Sequence, residues 1–276
     1  NFNVNDSIKI VSLYIKSIDD KMFQSFNEEI KNAKILPREQ FKDESKYYNC
    51  VDENGIVHIY YENTPKDIFI IFHEMLHKLN ENKGNNDKLV INKDVASVYL
   101  INPETIGWIN VPNTNIDYPV VQGVDNEYYL NHNIYRKSDK NGWVFMDFRS
   151  DALNLSDNII LYAHNRYYNG IMFGHLQNMM RYNWYSNPDN QIITLKTLYE
   201  ELHYKIFSLY KIETTLDYLQ VIFPDKDTKM KMFNIVKDRS IYNFNIDLNE
   251  DDKILTLSTC ADEYNKYVVH AVLIKD

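Results

Sequence analysis

With 276 residues, 44% of them hydrophobic and 25% charged, the chain has ordinary globular composition and enough length for one large domain or two small ones. Its 39 acidic and 30 basic side chains leave a formal charge of −9. No sustained basic stripe offsets that charge, which argues against a nucleic-acid partner.

No apolar run approaches a membrane span, and the opening NFNVNDSIKI shows no secretion signal. Two cysteines, Cys50 and Cys260, are too few for a disulfide framework. One disulfide between them would silence Cys260, so it competes with any catalytic reading of that residue.

Residues 7–33 place Ile8, Ile10, Val11, Leu13, Tyr14 and Ile18 near helical spacing, with Asp6 or Ser7 as a cap. Residues 34–55 are polar and read as irregular. The stretch Gly55–Glu62, GIVHIYYE, alternates as a strand does. Thr64 and Pro65 form an N-cap and first-position pair, and Asp67 adds first-turn acidity, for a helix reaching about Asn82. The Gly- and Asn-rich run 81–88 reads as a linker, and Asp94–Leu100 as a short helix.

From Gly107 to Asp276 the texture changes to short β-prone runs separated by turns, among them GWVFMDF, NIILYAHN and KILTLSTC. This pattern predicts a mainly β fold, a closed barrel or a sandwich. One helix interrupts it at Asp225–Asp238, where Met230, Phe233, Ile235 and Val236 partly follow helical spacing. The expected division is a small α-rich region over 1–90 and a β-rich domain over 91–276.

Two residues in the β-rich part carry candidate chemistry. Cys260 stands where an apolar strand stops and an acidic loop begins, and His164 ends another strand in ILYAHNRYYNG. Nucleophilic cysteine chemistry needs a thiolate, a nearby imidazole and donors for the oxyanion. Two strand ends can converge at one barrel mouth although 96 positions separate them. On residue type and position alone, a packed cysteine and an uninvolved histidine are the ordinary alternative.

The wider pattern is more specific. INPETIGWINVPNTNIDYPVVQGVDNEYYLNHN, then GWVFMDFR, YAHNRYYNGIMFGHL and TLSTC, in that order, resemble the sortase family over about residues 95–276, and class B sortases in particular. The helix at Asp225–Asp238 followed by RSIYN looks like the helical insert of that class. The resemblance implies a closed β-barrel of about eight strands with the helical insert before the last strands. It implies a cysteine transpeptidase that cuts secreted proteins after Thr in a C-terminal sorting motif, LPxTG or NPxTN in kind. Cys260 would form a thioester, and His164 would protonate the leaving amine and deprotonate the incoming one. The acceptor would be a peptidoglycan cross-bridge amine or a pilin lysine, at the extracellular face of a Gram-positive-type cell. The reaction would need no cofactor.

The family's third residue is an arginine on the strand after the cysteine. Aligning VVHA places Lys266 there, and no arginine follows Cys260. Three readings stand: Lys266 substitutes with poorer donor geometry; Arg149, Arg166 or Arg239 reaches in; or the enzyme is weak or altered. The first is preferred. Ser258 and Thr259 are candidates to orient the nucleophile or line the substrate groove, and Asp262 and Glu263 to tune charge beside it, but an ordinary polar rim residue is the preferred reading of each. The block of Tyr128, Tyr129, His132 and Asn133 is read as structural.

A second motif lies outside the resemblance. His73-Glu74-Met75-Leu76-His77 fits H-E-x-x-H, which on a helix puts both histidines on one face to bind Zn²⁺ with Glu74 as base. Sortases do not ordinarily carry it, and its order after a strand resembles half of a zincin. The third ligand would have to come from Glu81, Asp87 or Asp94. A structural helix or zincin remnant is preferred, then a non-proteolytic zinc site, then a working protease. The alternatives for the whole chain are therefore a zinc metallopeptidase with a β-rich binding module, or a catalytically impaired sortase-like binding protein.

Overall fold

The computed structural model describes residues 3–18, 20–37, 40, 50–51, 54, 56–61, 63, 67, 70–71, 74–75, 92–99, 101–151, 155–198 and 200–275. The chain divides into two compact units, Asn1–Ile91 and Asn92–Asp276.

In the first unit, the single helix expected over 7–33 is two: α1, Val4–Ile18, and α2, Asp20–Asn32. Val11 and Ile15, one turn apart, are fully buried, as is Phe26 of α2. The segment expected to be irregular holds two strands, β1 (Lys34–Pro37) and β2 (Cys50–Val51). Both flank β3 (Val57–Tyr61), β1 in parallel and β2 antiparallel. Neither is long enough to show a period of two in its own sequence. Asp67, Ile70, Ile71, Glu74 and Met75 are helical, as expected for that stretch. Thr64, Pro65, His73, His77, Glu81, Asp87 and the linker at 81–88 lie outside the described residues.

The second unit opens with α3, Lys93–Tyr99. Its cap is Asn92, whose Oδ1 accepts from the backbone N–H groups of Asp94 and Val95 at 3.1 and 3.3 Å. The strands that follow are β4 (Thr105–Asn110), β5 (Asp117–Val121), β6 (Phe145–Met146) and β7 (Asn158–Tyr162). A small ribbon of β8 (Asn165–Arg166) and β9 (Ile171–Met172) and a one-turn helix α4 (Tyr182–Tyr185) come next. Then come β10 (Ile192–Lys196), β11 (Glu201–Glu213), helix α5 (Lys226–Asp238), β12 (Ile254–Cys260) and β13 (Asn265–Leu273).

Eight strands close a barrel in the order β10-β11-β13-β12-β7-β6-β5-β4, with β4 returning to β10. The closed barrel, not the sandwich, is therefore the fold. Its interior is filled by Ile109, Val120, Leu161, Leu195, Leu257 and Val269, among others. Helix α5 covers the outer face of the late strands, packing Met232, Phe233 and Val236 against Phe207, Val268 and Val272. Both faces of β12 are covered, so Ile254 to Thr259 are all buried, the hydroxyls of Thr256, Ser258 and Thr259 included, and only Cys260 is exposed at its end. Asp225 caps α5, its side chain accepting from Thr228 N–H at 2.6 Å.

Candidate active site

Strands β7 and β12 run parallel, pairing Ile254 with Asn158 and so on to Ser258 with Tyr162. The offset is the same 96 positions that separate Cys260 from His164. Two residues beyond the last pair, the nucleophile candidate and the imidazole therefore stand level at the same end of neighbouring strands. The Thr259 hydroxyl donates to the Ala163 carbonyl at 2.6 Å and carries the strand contact past the last ladder pair. His164 lies two residues past the end of β7 rather than on the strand itself.

On the other side of β12, the antiparallel register pairs Cys260 with Lys266 of β13. The Lys266 Nζ donates to Cys260 Sγ at 2.9 Å. Cys260 is an exposed, free thiol, so the rival disulfide is not formed. The side chain of Cys50 lies outside the described residues.

His164 is half-buried, and its Nε2 lies 2.8 Å from the Leu130 carbonyl oxygen. A carbonyl only accepts, so Nε2 carries the proton and Nδ1 is the nitrogen left to exchange one. Burial lowers the His164 pKa from its ordinary value, and the charge of Arg166 adds to this, against the opposing effect of the Leu130 hydrogen bond. The Leu130 carbonyl is delivered by a short 3₁₀ turn, Tyr128–Leu130. Buried Tyr129 anchors that turn through Asn102 and Glu104, and Tyr128 stacks on His132 with ring centroids 4.0 Å apart. The aromatic block read as structural thus holds the histidine through a backbone atom, which no side-chain pattern signals.

Ser258 and Thr259 are both buried, at 5% and 3% exposure, and both have internal partners. The Ser258 hydroxyl lies 3.0 Å from that of Tyr218, a residue from the loop before α5. Asp262 accepts from Lys211 Nζ at 2.8 Å and from Tyr264 and Asn265, and the Lys211 contact foremost holds its carboxyl well below the usual range. It clamps the β12–β13 loop.

The three arginines considered as substitutes are placed differently. Arg149 is forked onto the buried carboxylate of Asp147 at 2.9 and 2.7 Å. Arg239 is forked onto Asp217 at 2.9 and 2.5 Å. Both are committed to structural ion pairs. Arg166 donates from Nη2 to the Lys140 carbonyl, while its Nε is buried without a hydrogen-bond partner. Arg166 also lines a cavity of about 530 Å³ with Tyr167, Tyr168, Gln177 and Ala261, the residue after Cys260.

Of the H-E-x-x-H residues, Glu74 and Met75 are described; both are buried, and burial pushes the Glu74 pKa up to about 7. Among the described residues no group of three or more His, Cys, Asp or Glu is arranged to hold a metal ion, and no helix is long and apolar enough to cross a membrane.

Residues 109–274 match the family model described as the sortase domain. Sortase B of Staphylococcus aureus is 33% identical over 178 residues, covering 64% of this chain and 72% of that protein. Sortase B of Listeria monocytogenes is 31% identical over 205 residues, covering 67% and 82%. Among solved structures, Clostridium perfringens sortase B superposes with a TM-score of 0.61 at 33% identity, over 65% of this chain and 98% of that one. A Staphylococcus aureus sortase B–substrate complex gives 0.63 at 30% identity, over 72% and 91%.

Proposed function

This chain belongs to the sortase family of cysteine transpeptidases, with sortase B proteins among its relatives, and we propose that Cys260, His164 and Lys266 carry its reaction. The substrate is a secreted protein bearing an LPxTG- or NPxTN-like motif. Cys260 attacks the Thr carbonyl and the peptide leaves as an amine. A thioester remains, and a second amine resolves it.

The observation that carries this reading is the placement of Cys260 on β12. It stands level with His164 through the parallel register and 2.9 Å from Lys266 through the antiparallel one. Lys266 supplies a counter-charge for the thiolate and, once the sulfur is acylated, a positive charge beside the oxyanion. Lysine is a compact point charge without the fork of arginine, so it stabilises that oxyanion with less directional precision. His164, with Nε2 held by Leu130, presents Nδ1 to give a proton to the leaving amine and take one from the incoming amine.

Ser258 and Thr259 act as positioning residues, because their side chains are spent on Tyr218 and Ala163. The acceptor is a cell-wall cross-bridge amine or a pilin lysine, and the enzyme works at the outer face of the cell membrane, as its family does.

For the first unit we propose a packing role for the helix that carries H-E-x-x-H. Ile71 and Met75, one turn apart, are fully buried, which is a sufficient account of an apolar face. Zinc quantification after dialysis tests this: zinc retained by the chain and lost in His73→Ala restores the metal reading.

A fluorogenic peptide carrying LPxTG or NPxTN separates the readings of the whole chain. Cleavage blocked by a thiol alkylator and absent in Cys260→Ala is the expected result. Cleavage blocked only by a chelator would instead favour a metallopeptidase, and binding without cleavage an impaired sortase.

A further inference from the structure

An arginine beside the nucleophile stays protonated throughout, because its guanidinium does not lose its proton in proteins. A lysine amine can lose its proton, and it is then the same chemical group as the acceptor that ends a sortase cycle. In this chain that amine stands 2.9 Å from Cys260 Sγ, held by the pairing of Cys260 with Lys266 across β12 and β13. Once Cys260 is acylated, the carbonyl carbon is bonded directly to that sulfur. It then lies near the roughly 3–3.5 Å at which bound reactants are poised for attack. Among the described residues no carboxylate is paired with Lys266, and Asp262 of the same turn is occupied by Lys211, Asn265 and Tyr264.

We propose that Cys260 and Lys266 form a self-acylation site, in which the Thr-terminated acyl group passes from Cys260 Sγ to Lys266 Nζ. This rests on the thioester reading above. The Lys266 ammonium first gives a proton to water. Its neutral nitrogen attacks the thioester carbonyl, a C–N bond forms and the C–S bond breaks. The electron pair leaves on sulfur, and the proton shed by the nitrogen goes to that sulfur. The products are an isopeptide bond between the sorted polypeptide and the enzyme, and a free Cys260 thiol. Nothing is oxidised or reduced. The acylated enzyme has lost the positive charge beside its nucleophile, so the event limits itself to one per chain. It competes with the external acceptor and accumulates when that acceptor is scarce.

The test is intact-protein mass spectrometry of the full chain, incubated separately with an LPxTG and an NPxTN peptide without added amine, then treated with hydroxylamine. A thioester is cleaved by hydroxylamine and an amide is not. The expected result is a hydroxylamine-resistant adduct of the acyl mass, mapped to Lys266 by peptide sequencing and reduced when triglycine is added. It is absent in Cys260→Ala. In Lys266→Arg only the hydroxylamine-sensitive adduct forms, which shows that the variant is folded and acylated. A wild-type adduct wholly removed by hydroxylamine, or a resistant adduct mapped to a different lysine, overturns the self-acylation and leaves the thioester reading standing. No adduct and no cleavage with either peptide overturns both.

Discussion

The hydroxyl of Thr259 donates to the carbonyl of Ala163 at 2.6 Å, so the residue before the nucleophile is bonded to the residue before the histidine. The contact is buried and continues a parallel strand pair beyond its last ladder partner. Thr259→Val keeps the shape and removes the donor, leaving a buried carbonyl unpaired. The expected cost is about 1–3 kcal/mol of stability, read by urea unfolding. Loss of alignment between Cys260 and His164 should lower kcat by roughly tenfold to a hundredfold with little change in KM. Thr259→Ser should restore most of both. A Thr259→Val enzyme with normal kcat would remove the bond from the positioning of the site.

We propose that Lys266 takes the place of the arginine expected from the sortase resemblance, and its contact with Cys260 makes two opposite substitutions informative. Lys266→Ala should lower cleavage by about 10²–10³-fold, the usual consequence of losing one oxyanion donor. Lys266→Arg should raise it above wild type, because the planar fork restores directed donors. Steady-state cleavage of the sorting peptide reads both, and unchanged turnover in Lys266→Ala would take Lys266 out of the mechanism.

The pH behaviour of His164 has a definite direction. Burial first, and the charge of Arg166 in addition, lower its pKa below the ordinary 6.5. Its protonated form therefore predominates only on the acid side of 6.5, and the activity limb belonging to His164 should fall there. Replacing Arg166 with Gln removes one positive neighbour and should move the His164 titration upward, toward 6.5. The ring proton resonance followed by NMR across the acid range measures the shift. A downward move, or none, would show that Arg166 does not act on His164 electrostatically.

A second histidine governs acid stability. His270 of β13 is fully buried, and burial pushes its pKa down to about 3. Thr256 spends its hydroxyl proton on Asn158 Oδ1 at 2.7 Å, so His270 Nδ1 must donate to Thr256 at 2.8 Å. In the neutral ring, the form that burial favours, Nε2 then accepts from Tyr210 OH at 2.9 Å. Between pH 6.5 and about 3 the unfolded chain binds a proton that the folded one refuses. Stability therefore falls as pH drops through that window, by up to about 1.4 kcal/mol per pH unit. Chemical unfolding at pH 7 and pH 4 should show a smaller difference in His270→Gln than in wild type. An equal difference would place the acid sensitivity elsewhere.

Much of this protein was legible locally. The alternation and turns of 107–276 marked a mainly β fold, a barrel or a sandwich, because burying one or both faces of a strand leaves a trace in its own residues; the closed barrel was what the resemblance to sortases implied. The spacing of Met230, Phe233, Ile235 and Val236 located α5, and the ordered blocks around His164 and Cys260 marked the chemistry. The sequence also showed a lysine where an arginine was expected. It could not show the parallel pairing of β7 with β12 that brings positions 96 apart to one level, since register is a property of two distant segments at once. Nor could it show that Leu130 lends a backbone carbonyl to His164, or that Arg149 and Arg239 are committed to Asp147 and Asp217 while Lys266 is aimed at the sulfur. A backbone acceptor has no residue type to read, and a charge finds its partner only when the barrel closes. The sequence by itself determined which groups are available to react; closure of the barrel decided which of them meet.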